Sequence, residues 1–373
     1  MKTYEGRVIL MDENTYMMWL SSLSASIGSE RINRLLKAFG TAEEVYKASE
    51  QALNIDGGLT GIGLACLIKS RSICHIDDVR KKCEVLKISY ISRDSEEFPN
   101  LLKDIPNAPA GLFCMGKMPP DESPKVAIIG SRKCSEYGLI ASRLVAKPLS
   151  EAGTVVVSGM AKGIDSMAHR GAIQGGGKTI AVLGTGVDIC YPAENKKLRE
   201  EIISYGCLVS EYPPGTTAKR HFFPERNRII SGISLGVIVV EAAKKSGTLG
   251  TVNHAADQGR EIFAVPGNIS SRLSEGTNIL IRDGAHPVQD YTDVLYVLGL
   301  MPAPGKEPDI NYKNIPLAPE EKLVYDHLRD EPISYETLYE LTGLSCGRLH
   351  FVLTGLEIKG HSIKLPGGRY VKA

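Results

Sequence analysis

The sequence predicts an α/β protein with an extended, doubly wound parallel sheet of Rossmann type, flanked by a helical domain and a winged-helix domain. Three observations predict this fold. Helix-period patterns dominate the start of the chain, six short apolar runs alternate with helix-length spacers in the middle, and three helices with a hairpin pattern end it. The predicted domains are residues 1–95, 96–302 and 318–373, with a linker at 303–317.

Residues 1–95 are predicted to form a small helical domain. Apolar residues recur there at helical spacing, as in the segment from Ile32 to Phe39 before Gly40. The segment GGLTGIG at 57–63 separates two helical patterns and resembles a helix-hairpin-helix or SAM-like turn, where backbone amides freed by glycine can hold a phosphate. A tight turn that packs two helices together is the alternative interpretation.

The middle of the chain is predicted to form the parallel sheet. Its six predicted strands are KVAIIG, TVVVSG, KTIAVLG, CLVSEY, GVIVVEA and EIFAVPG. Strands that alternate with helices are joined by right-handed crossovers and therefore run parallel. Such sheets bind ligands outside the carboxyl ends of their strands, where this chain carries GSR, SGMAKGID, GTG, EYPPG and EAAKKSGTLGT. We therefore expect the functional residues in these turns.

The end of the chain is predicted to be a winged-helix domain after a proline-rich linker. Pro319 starts one helix, Ser334 and Ser345 are placed to cap two more, and SIKL, PGG and RYV form a hairpin. The third helix carries only three basic or potentially basic groups, Arg348, His350 and Lys359. Binding in a DNA groove and contact with a protein partner are both open for this domain.

Composition predicts a cytoplasmic protein without a disulfide framework. The 373 residues carry a formal net charge of +1, so any nucleic-acid site must be a local concentration of Lys and Arg. The eight cysteines form no C-x-x-C pair and no zinc-ligand spacing, which favours reduced thiols. No run of about 18 apolar residues is present, so we expect no membrane partner.

The segment from Glu211 to Thr251 is predicted to hold the centre of a nucleic-acid site. Arg226 and Arg228 fall at or near a helix start, where guanidinium groups and free backbone amides match phosphate oxygens. Phe222 and Phe223 offer flat surfaces close by. This combination is typical of a site for a phosphate-bearing chain with exposed bases.

Other turns on the same edge of the sheet are predicted to complete the site. Arg132 follows the first strand and Lys162 follows the second, so both turns open on the same edge as Arg226 and Arg228. Four cations are therefore predicted to converge on one concavity. The alternative is that Arg132 and Lys162 are solvated or paired with Asp165 or Glu241. Hydroxyl groups, backbone amides and further polar groups come from Ser131, Ser158, Gly159, Gly163, Lys219, Asn227, Ser246, Gly247 and Thr248. Asp188 and Glu211 are placed to orient Arg226 or Arg228.

Enzyme and cofactor motifs are poorly matched. GTGVDIC at 184–190 is followed by Tyr191 and a proline instead of a helix, so it is no dinucleotide fingerprint. GGGKT lacks the first P-loop glycine, because Ala172 stands there, and it precedes a strand. For Asp165 and His169, a capping Asp and a packed His are commoner than an acid–base pair. We therefore predict no catalytic residue, no cofactor and no metal.

Seven motifs resemble the DNA-processing protein A family, also called DprA or Smf. In chain order they are SGMAKGIDSMAH, TIAVLGTGVDICYPAENKKL, GCLVSEYPPGT, FPERNRIISGIS, VVEAAKKSGTLGT, GREIFAVPG and EGTNILIRDGA. The resemblance implies a non-enzymatic protein that binds and protects single-stranded DNA during natural transformation and helps load the RecA recombinase. It also implies a homodimer formed through the Rossmann domain.

The resemblance also assigns DNA-contacting residues. By motif position the family's arginine falls on Arg132 and its lysine on Lys162, and its FP-x-RNR segment falls on Phe223, Arg226, Asn227 and Arg228. The chain departs from the family pattern at Gly250, where an apolar residue is common.

A nucleotide phosphoribohydrolase on the same type of sheet is the alternative function. Those enzymes carry a PGGxGT loop followed by an acid three residues later. Thr251 and His254 stand at the two corresponding positions here, so the carboxylate that hydrolysis needs is missing.

Overall fold

The computed structural model describes residues 12–301, 317–329, 331–359, 361–365 and 367–372, and the backbone of residues 3–4 and 7–8. Side chains of residues 73, 74 and 358 are outside this description. The chain divides into two compact units, Met1–Met301 and Pro302–Ala373. The predicted linker at 303–317 lies outside the described residues except for its last residue, and the predicted domain boundaries stay predictions.

Seven helices follow a short antiparallel pair of strands at the start of the first unit. The strands are β1 (Thr3–Tyr4) and β2 (Arg7–Val8), and the helices are α1 (Glu13–Ser22), α2 (Ser24–Ile27), α3 (Ser29–Phe39), α4 (Ala42–Lys47), α5 (Glu50–Ile55), α6 (Gly61–Ser70) and α7 (Ile73–Leu86). Oxygens on the side chains of Asp12, Thr41, Ser49 and Ser72 cap four of the helices. The helices share an apolar core around Trp19, which is fully buried.

The glycine-rich turn between α5 and α6 packs against α3. A Cβ atom at Gly57 would lie 2.6 Å from the Leu35 side chain, and Gly58 and Gly61 have φ of +61° and +56°. Glycine is needed there for close approach and for left-handed backbone. The packing interpretation of this turn is confirmed, and phosphate binding by it stays a prediction.

A nine-stranded sheet fills the centre of the first unit. Its strands are β3 (Ser89–Ser92), β4 (Gly111–Gly116), β5 (Lys125–Ile129), β6 (Val155–Ser158), β7 (Thr179–Val182), β8 (Cys207–Ser210), β9 (Gly236–Val239), β10 (Glu261–Ala264) and β11 (His286–Pro287). Their order is β11-β10-β9-β5-β6-β7-β8-β4-β3. The neighbours from β11 to β8 run parallel, whereas β4 and β3 are antiparallel. The six predicted strands, β5 to β10, are confirmed as parallel neighbours.

Three strands of this sheet were not predicted. β11 has two residues and β3 has four, and neither segment shows the alternation or the apolar run that marks a strand. Residues 1–95 were predicted to be helical, and the structure adds the strands β1, β2 and β3 within this range. β3 is held by its antiparallel pairing with β4, a long-range contact that local pattern does not reveal.

Helices cover both faces of the sheet. They are α8 (Asn100–Lys103), α9 (Glu136–Glu151), α10 (Ile164–Gln174), a 3₁₀ turn at Ala193–Asn195, α11 (Lys196–Tyr205), α12 (Phe222–Ile233), α13 (Thr248–Asp257), α14 (Glu275–Arg282) and α15 (Tyr291–Val297). One apolar core includes residues of α12 and α13, and the other includes residues of α9, α10 and α15. The predicted doubly wound architecture is confirmed. The strand order reverses between β5 and β9, which makes a topological switch point at their carboxyl ends.

The second unit is a winged-helix domain. Its elements are α16 (Pro319–His327), β12 (Ile333–Ser334), α17 (Tyr335–Thr342), α18 (Cys346–Ile358), β13 (Ser362–Leu365) and β14 (Arg369–Lys372). The strands form an antiparallel sheet in the order β12-β14-β13. Ser334 caps α17 by accepting from the Thr337 amide, as predicted. Ser345 stands at the cap position of α18 but makes no side-chain capping bond.

The fixed cations at α18 are paired within this unit. Arg348 Nε lies 2.5 Å from Glu320, and Lys359 Nζ lies 2.5 Å from Glu321. The Arg348 and Glu320 side chains are 55% and 41% exposed, and an exposed pair contributes only roughly 0–1 kcal/mol. The pairing therefore does not decide between DNA-groove binding and protein contact, and both stay open for the winged-helix domain.

Within the described residues, no helix is both long enough and apolar enough to cross a membrane. The seven cysteines whose side chains are described are free thiols. No cluster of potential metal ligands occurs among the described side chains.

Candidate nucleic-acid interface

A cavity of about 840 Å³ opens at the switch point of the sheet. Three segments supply most of its wall: the turn after β5, the segment that leads into α12, and the turn after β9 with the start of α13. Because β5 and β9 are neighbours whose crossovers leave on opposite faces of the sheet, their turns diverge and leave this crevice open.

Nine of the fifteen predicted site residues line this cavity, namely Ser131, Arg132, Lys219, Phe223, Arg226, Asn227, Ser246, Gly247 and Thr248. The other six do not line it: Ser158, Gly159, Lys162, Gly163, Phe222 and Arg228. The structure therefore brings together predicted residues from the turns after β5 and β9 and from α12 with the segment before it. All four predicted residues from the end of β6 and the turn after it lie outside the cavity.

Five exposed cations surround the cavity and are called the basic rim. They are Arg132, Lys133, Lys219, Arg220 and Lys245. Asp165 is the only carboxylate among the described residues that line the cavity. Five positive side chains around one concavity give a strong local positive potential in a chain whose net charge is +1.

Three members of the basic rim were not predicted: Lys133, Arg220 and Lys245. Each belongs to a doublet of cations, since Lys133 follows Arg132, Arg220 follows Lys219, and Lys245 follows Lys244. Three such doublets in turns that share one edge of a parallel sheet were a usable signal.

Arg226 is a buried cation in the wall of the cavity. Its side chain is only 4% exposed, Nη1 donates to the Val182 carbonyl, and Nε has no hydrogen-bond partner among the described residues. Burial lowers the pKa of Arg226 to about 10, while the nearby Asp165 carboxylate acts in the opposite direction. Burial also raises the pKa of Asp165, opposed by Arg226. Arg226 therefore remains charged at neutral pH, and it faces one nearby carboxylate.

The glycines in the turn after β6 have a packing role. A Cβ atom at Gly159 would lie 2.2 Å from Arg226 Nη1, and one at Gly163 would lie 2.5 Å from the Ser131 carbonyl oxygen. Ser158 is fully buried and its hydroxyl donates to the Ile128 carbonyl at 2.6 Å. The expectation that the Ser158 hydroxyl faces a ligand is wrong, because it is buried and bonded to β5. Gly159 packs against Arg226 and Gly163 packs against the turn after β5, and neither glycine lines the cavity.

Arg228 lies in a buried ion pair away from the cavity. Its Nη1 and Nη2 atoms donate to the two carboxylate oxygens of Glu211 at 2.9 and 2.7 Å. Burial acts to lower the pKa of Arg228, but Glu211 outweighs it and the net direction is upward. The expectation that Arg228 meets phosphate is wrong, because its charge is already satisfied, whereas the expectation that Glu211 orients it is confirmed.

Glu211 also fixes helices α1 to α7, called the helical front, to the sheet. Its carboxylate accepts from the Ser29 hydroxyl, and its backbone carbonyl accepts from the Ser24 hydroxyl at 2.7 Å. Arg228 Nε donates in turn to the Asn107 carbonyl at 3.1 Å. One buried ion pair therefore connects α12, the end of β8 and the helical front.

The aromatic residues of α12 differ in their surroundings. Phe222 is buried and stacks on Tyr212 with a centroid distance of 4.1 Å, so the expectation that it offers a free stacking surface is wrong. Phe223 is half-buried and lines the cavity. The Arg132 guanidinium lies over its ring at 5.4 Å from the centroid. Tyr191, which was not predicted, is 45% exposed and lies 5.3 Å from Phe223 between ring centroids.

Lys162 lies outside the cavity and is paired with a carboxylate that was not considered. Its Nζ atom is 2.5 Å from Glu194, and the two side chains are 55% and 69% exposed. An exposed pair of this kind contributes roughly 0–1 kcal/mol, so a phosphate can displace Glu194 at little cost. A role of Lys162 in DNA binding stays a prediction.

The turn after β9 ends at the N-terminus of α13. The Thr248 amide donates to the Ser246 hydroxyl at 3.2 Å, and Gly247 between them is exposed. The first amides of a helix have no partner within the helix and carry a partial positive charge. The Leu249 and Gly250 amides donate to the Ser246 and Gly247 carbonyls at 3.1 and 3.2 Å. The turn therefore lines the cavity with amides that already have partners within it.

Asp165 and His169 do not form an acid–base pair. His169 is fully buried, and its Nδ1 lies 2.7 Å from the Thr179 hydroxyl, which itself donates to the Val156 carbonyl. Nδ1 is therefore the donor in the first bond. Burial lowers the pKa of His169 to about 3, so the ring stays neutral. The interpretation of His169 as a packed side chain is confirmed.

Two family models match the chain. The model of DNA recombination-mediator protein A matches residues 89–299, and the model of the DprA winged helix domain matches residues 313–368.

Full-length relatives are similar over most of the chain. The DNA processing protein DprA of Streptococcus pneumoniae is 40% identical over 276 residues, which cover 72% of this chain and 98% of that protein. Protein Smf of Synechocystis is 31% identical over 390 residues, which cover 94% of this chain and 97% of that protein.

Two solved structures are similar to this chain in sequence and fold. The X-ray structure of DprA from Streptococcus pneumoniae gives a TM-score of 0.66 at 36% identity, covering 77% of this chain and 98% of that one. DNA processing protein A from Helicobacter pylori, which binds single-stranded DNA, gives a TM-score of 0.50 at 30% identity. That match covers 57% of this chain and 96% of the Helicobacter pylori chain.

Proposed function

Because the chain belongs to the DNA recombination-mediator protein A family, we propose that it binds single-stranded DNA in the cavity between β5 and β9 and acts in DNA processing and recombination. The observation that carries this proposal is the basic rim, whose five cations surround a concavity with a single carboxylate in its wall. The relative from Helicobacter pylori binds single-stranded DNA on a similar fold.

The geometry supports a single strand more than a duplex. The rim cations come from three separate segments of the chain. They are therefore arranged around a crevice and do not form a flat, straight surface. A flexible single strand can turn its phosphates toward such a crevice and leave its bases free to stack on an aromatic side chain in the wall. A duplex is stiff over this length and keeps its bases paired.

The proposal extends to how the protein acts. It binds DNA and does no chemistry on it, it protects the strand, and it helps load the RecA recombinase in the cytoplasm during natural transformation. It works as a homodimer through the sheet domain. These points are based on the family. The proposed site residues are based on the cavity, and they are the basic rim, Arg226, Asn227, Phe223 and the turn Ser246–Thr248, with Lys162 at its margin.

Hydrolysis of nucleotides is not favoured by the cavity. Thr251 lines it where the related hydrolases carry their acid. Asp165 is buried, its pKa is raised, and Arg226 is its charged neighbour. Asp165 comes from α10, so it does not stand where those hydrolases carry the acid after their PGGxGT loop.

A salt titration of the intact protein tests the proposal. Five phosphate contacts predict that log K falls against log salt with a slope of roughly −3.5 for single strands, since each contact contributes about 0.7. Affinity for a duplex of the same length is expected to be lower at every salt concentration. Equal affinity for duplex and single strand, or a slope near zero, would contradict the proposal.

A further inference from the structure

We propose that the ring of Tyr191 is the surface on which a base of the bound single strand stacks, and that Phe223 supports this ring from behind. The inference rests on the proposed function and names a specificity-determining residue of that same site. Its starting point is the pair of aromatic rings in the cavity wall, of which Tyr191 is the more exposed.

Phe223 is poorly placed to receive a base itself. Its side chain is half-buried, the Arg132 guanidinium lies over its ring at 5.4 Å, and the Tyr191 ring lies 5.3 Å away. A base that stacked on Phe223 would have to displace one of these two neighbours. Either the Arg132 side chain would leave its position over the Phe223 ring, or the contact between the Tyr191 and Phe223 rings would be broken.

A base does not fit between the two rings either. Atoms in stacked rings are separated by about 3.5 Å, so a base held between two rings sets them roughly 7 Å apart. The Tyr191 and Phe223 centroids are 5.3 Å apart with the ring planes tilted by 38°. These rings are in contact with each other, which leaves the outer face of Tyr191 as the surface for a base.

Tyr191 meets the requirements for that role. Its side chain is 45% exposed and lines the same cavity as the basic rim. Its contact with Phe223 restricts the ring before any ligand arrives, so stacking costs little side-chain entropy. The alternative is a purely structural contact, in which Tyr191 covers Phe223 and touches no DNA.

This placement gives the site a means of rejecting duplex DNA. The rim cations contact phosphates, which single and double strands both carry. A base within a duplex has both faces covered by its neighbours, so only an unpaired base can stack on Tyr191. We therefore expect Tyr191 to contribute to the preference for single strands and the rim to contribute to affinity.

Binding of an oligothymidine and of an abasic strand of equal length to the full chain tests this inference. Tyr191→Ala is expected to weaken oligothymidine binding by about 5- to 100-fold, the range for one lost base–aromatic stack. The salt slope is expected to stay unchanged, because no phosphate contact is lost. Tyr191→Phe and Tyr191→Trp are expected to keep most of the affinity. Tyr205→Ala is the matched control, since Tyr205 is 44% exposed and does not line the cavity.

The abasic strand separates stacking from a structural role. Tyr191→Ala and the unmodified protein are expected to bind it equally, because it offers phosphates and no bases. Equal loss on both strands, a loss in Tyr191→Phe as large as in Tyr191→Ala, or unchanged oligothymidine binding would overturn the inference. Failure of the unmodified protein to bind oligothymidine at all would instead contradict the proposed function.

Discussion

Replacing Glu211 by alanine is expected to lower the free energy of unfolding by about 3–5 kcal/mol, the cost of leaving a buried partner charge uncompensated. Arg228 would keep its positive charge inside the protein without the two carboxylate oxygens that now accept from it at 2.9 and 2.7 Å. The Ser29 hydroxyl loses the carboxylate that accepts from it, whereas the Ser24 hydroxyl keeps the Glu211 backbone carbonyl, so one of these two contacts to the helical front is lost as well. Urea unfolding followed by circular dichroism measures the loss.

Two further variants make the Glu211 result specific. Glu194→Ala breaks an exposed pair with Lys162 and is expected to cost less than about 1 kcal/mol. The double variant Glu211→Ala with Arg228→Met removes both charges and is expected to recover most of the stability, since a buried pair can be replaced by apolar side chains. A loss from Glu211→Ala as small as that from Glu194→Ala would show that the buried pair does not hold α12 in place.

Removing one cation from each wall segment is expected to abolish most of the DNA affinity. The variant Arg132→Ala, Lys219→Ala, Lys245→Ala loses three phosphate contacts, and each contributes about 0.7 to the salt slope of a single strand. The slope is therefore expected to flatten by roughly 2, and affinity at 0.1 M salt is expected to fall by about 100-fold. Fluorescence anisotropy with a labelled oligonucleotide over a range of salt measures both quantities.

A control with the same change in charge separates local contacts from net charge. Lys37, Arg170 and Lys178 are exposed and do not line the cavity. Their triple alanine variant is expected to keep the salt slope of the unmodified protein. If both triple variants lose the same affinity, the basic rim has no special role and the cavity is not the binding site.

The sheet and its edge were predictable because their signals are local. Strands β5 to β10 are short apolar runs followed by glycine turns, and alternation with helices fixes their parallel direction. That direction places Arg132 and the turn Ser246–Thr248 on one edge without any knowledge of packing. The match with the family rests on the same turns.

The direction of single side chains could not be predicted, because neighbours on one helix have opposite surroundings. Phe222 and Phe223 are adjacent in sequence, yet one stacks on buried Tyr212 and the other lines the cavity. Arg226 and Arg228 likewise differ by two positions, about 200° around the helix, so one lines the cavity and the other meets Glu211. A pattern of residue types alone does not say which face is covered.

Contacts between distant segments were also hidden. The partner of Lys162 is Glu194, which comes from the segment after β7, and the Tyr191 ring reaches Phe223 from that same segment. Tyr191 lies in a segment that served for the comparison with a dinucleotide fingerprint and for the family resemblance, and neither assigned a role to its ring. Side chains from a neighbouring turn complete the cavity, and their positions depend on tertiary structure.

Photo-crosslinking of the intact protein to a single-stranded oligonucleotide that carries 5-bromouracil locates the bound bases, and so tests whether DNA binds in the cavity between β5 and β9. We expect crosslinked peptides that contain Tyr191 or the segment 218–228, and we expect unlabelled single strands to compete with the crosslinking. Crosslinks confined to the winged-helix domain or to residues 12–86 would contradict this expectation and would place the DNA away from the sheet.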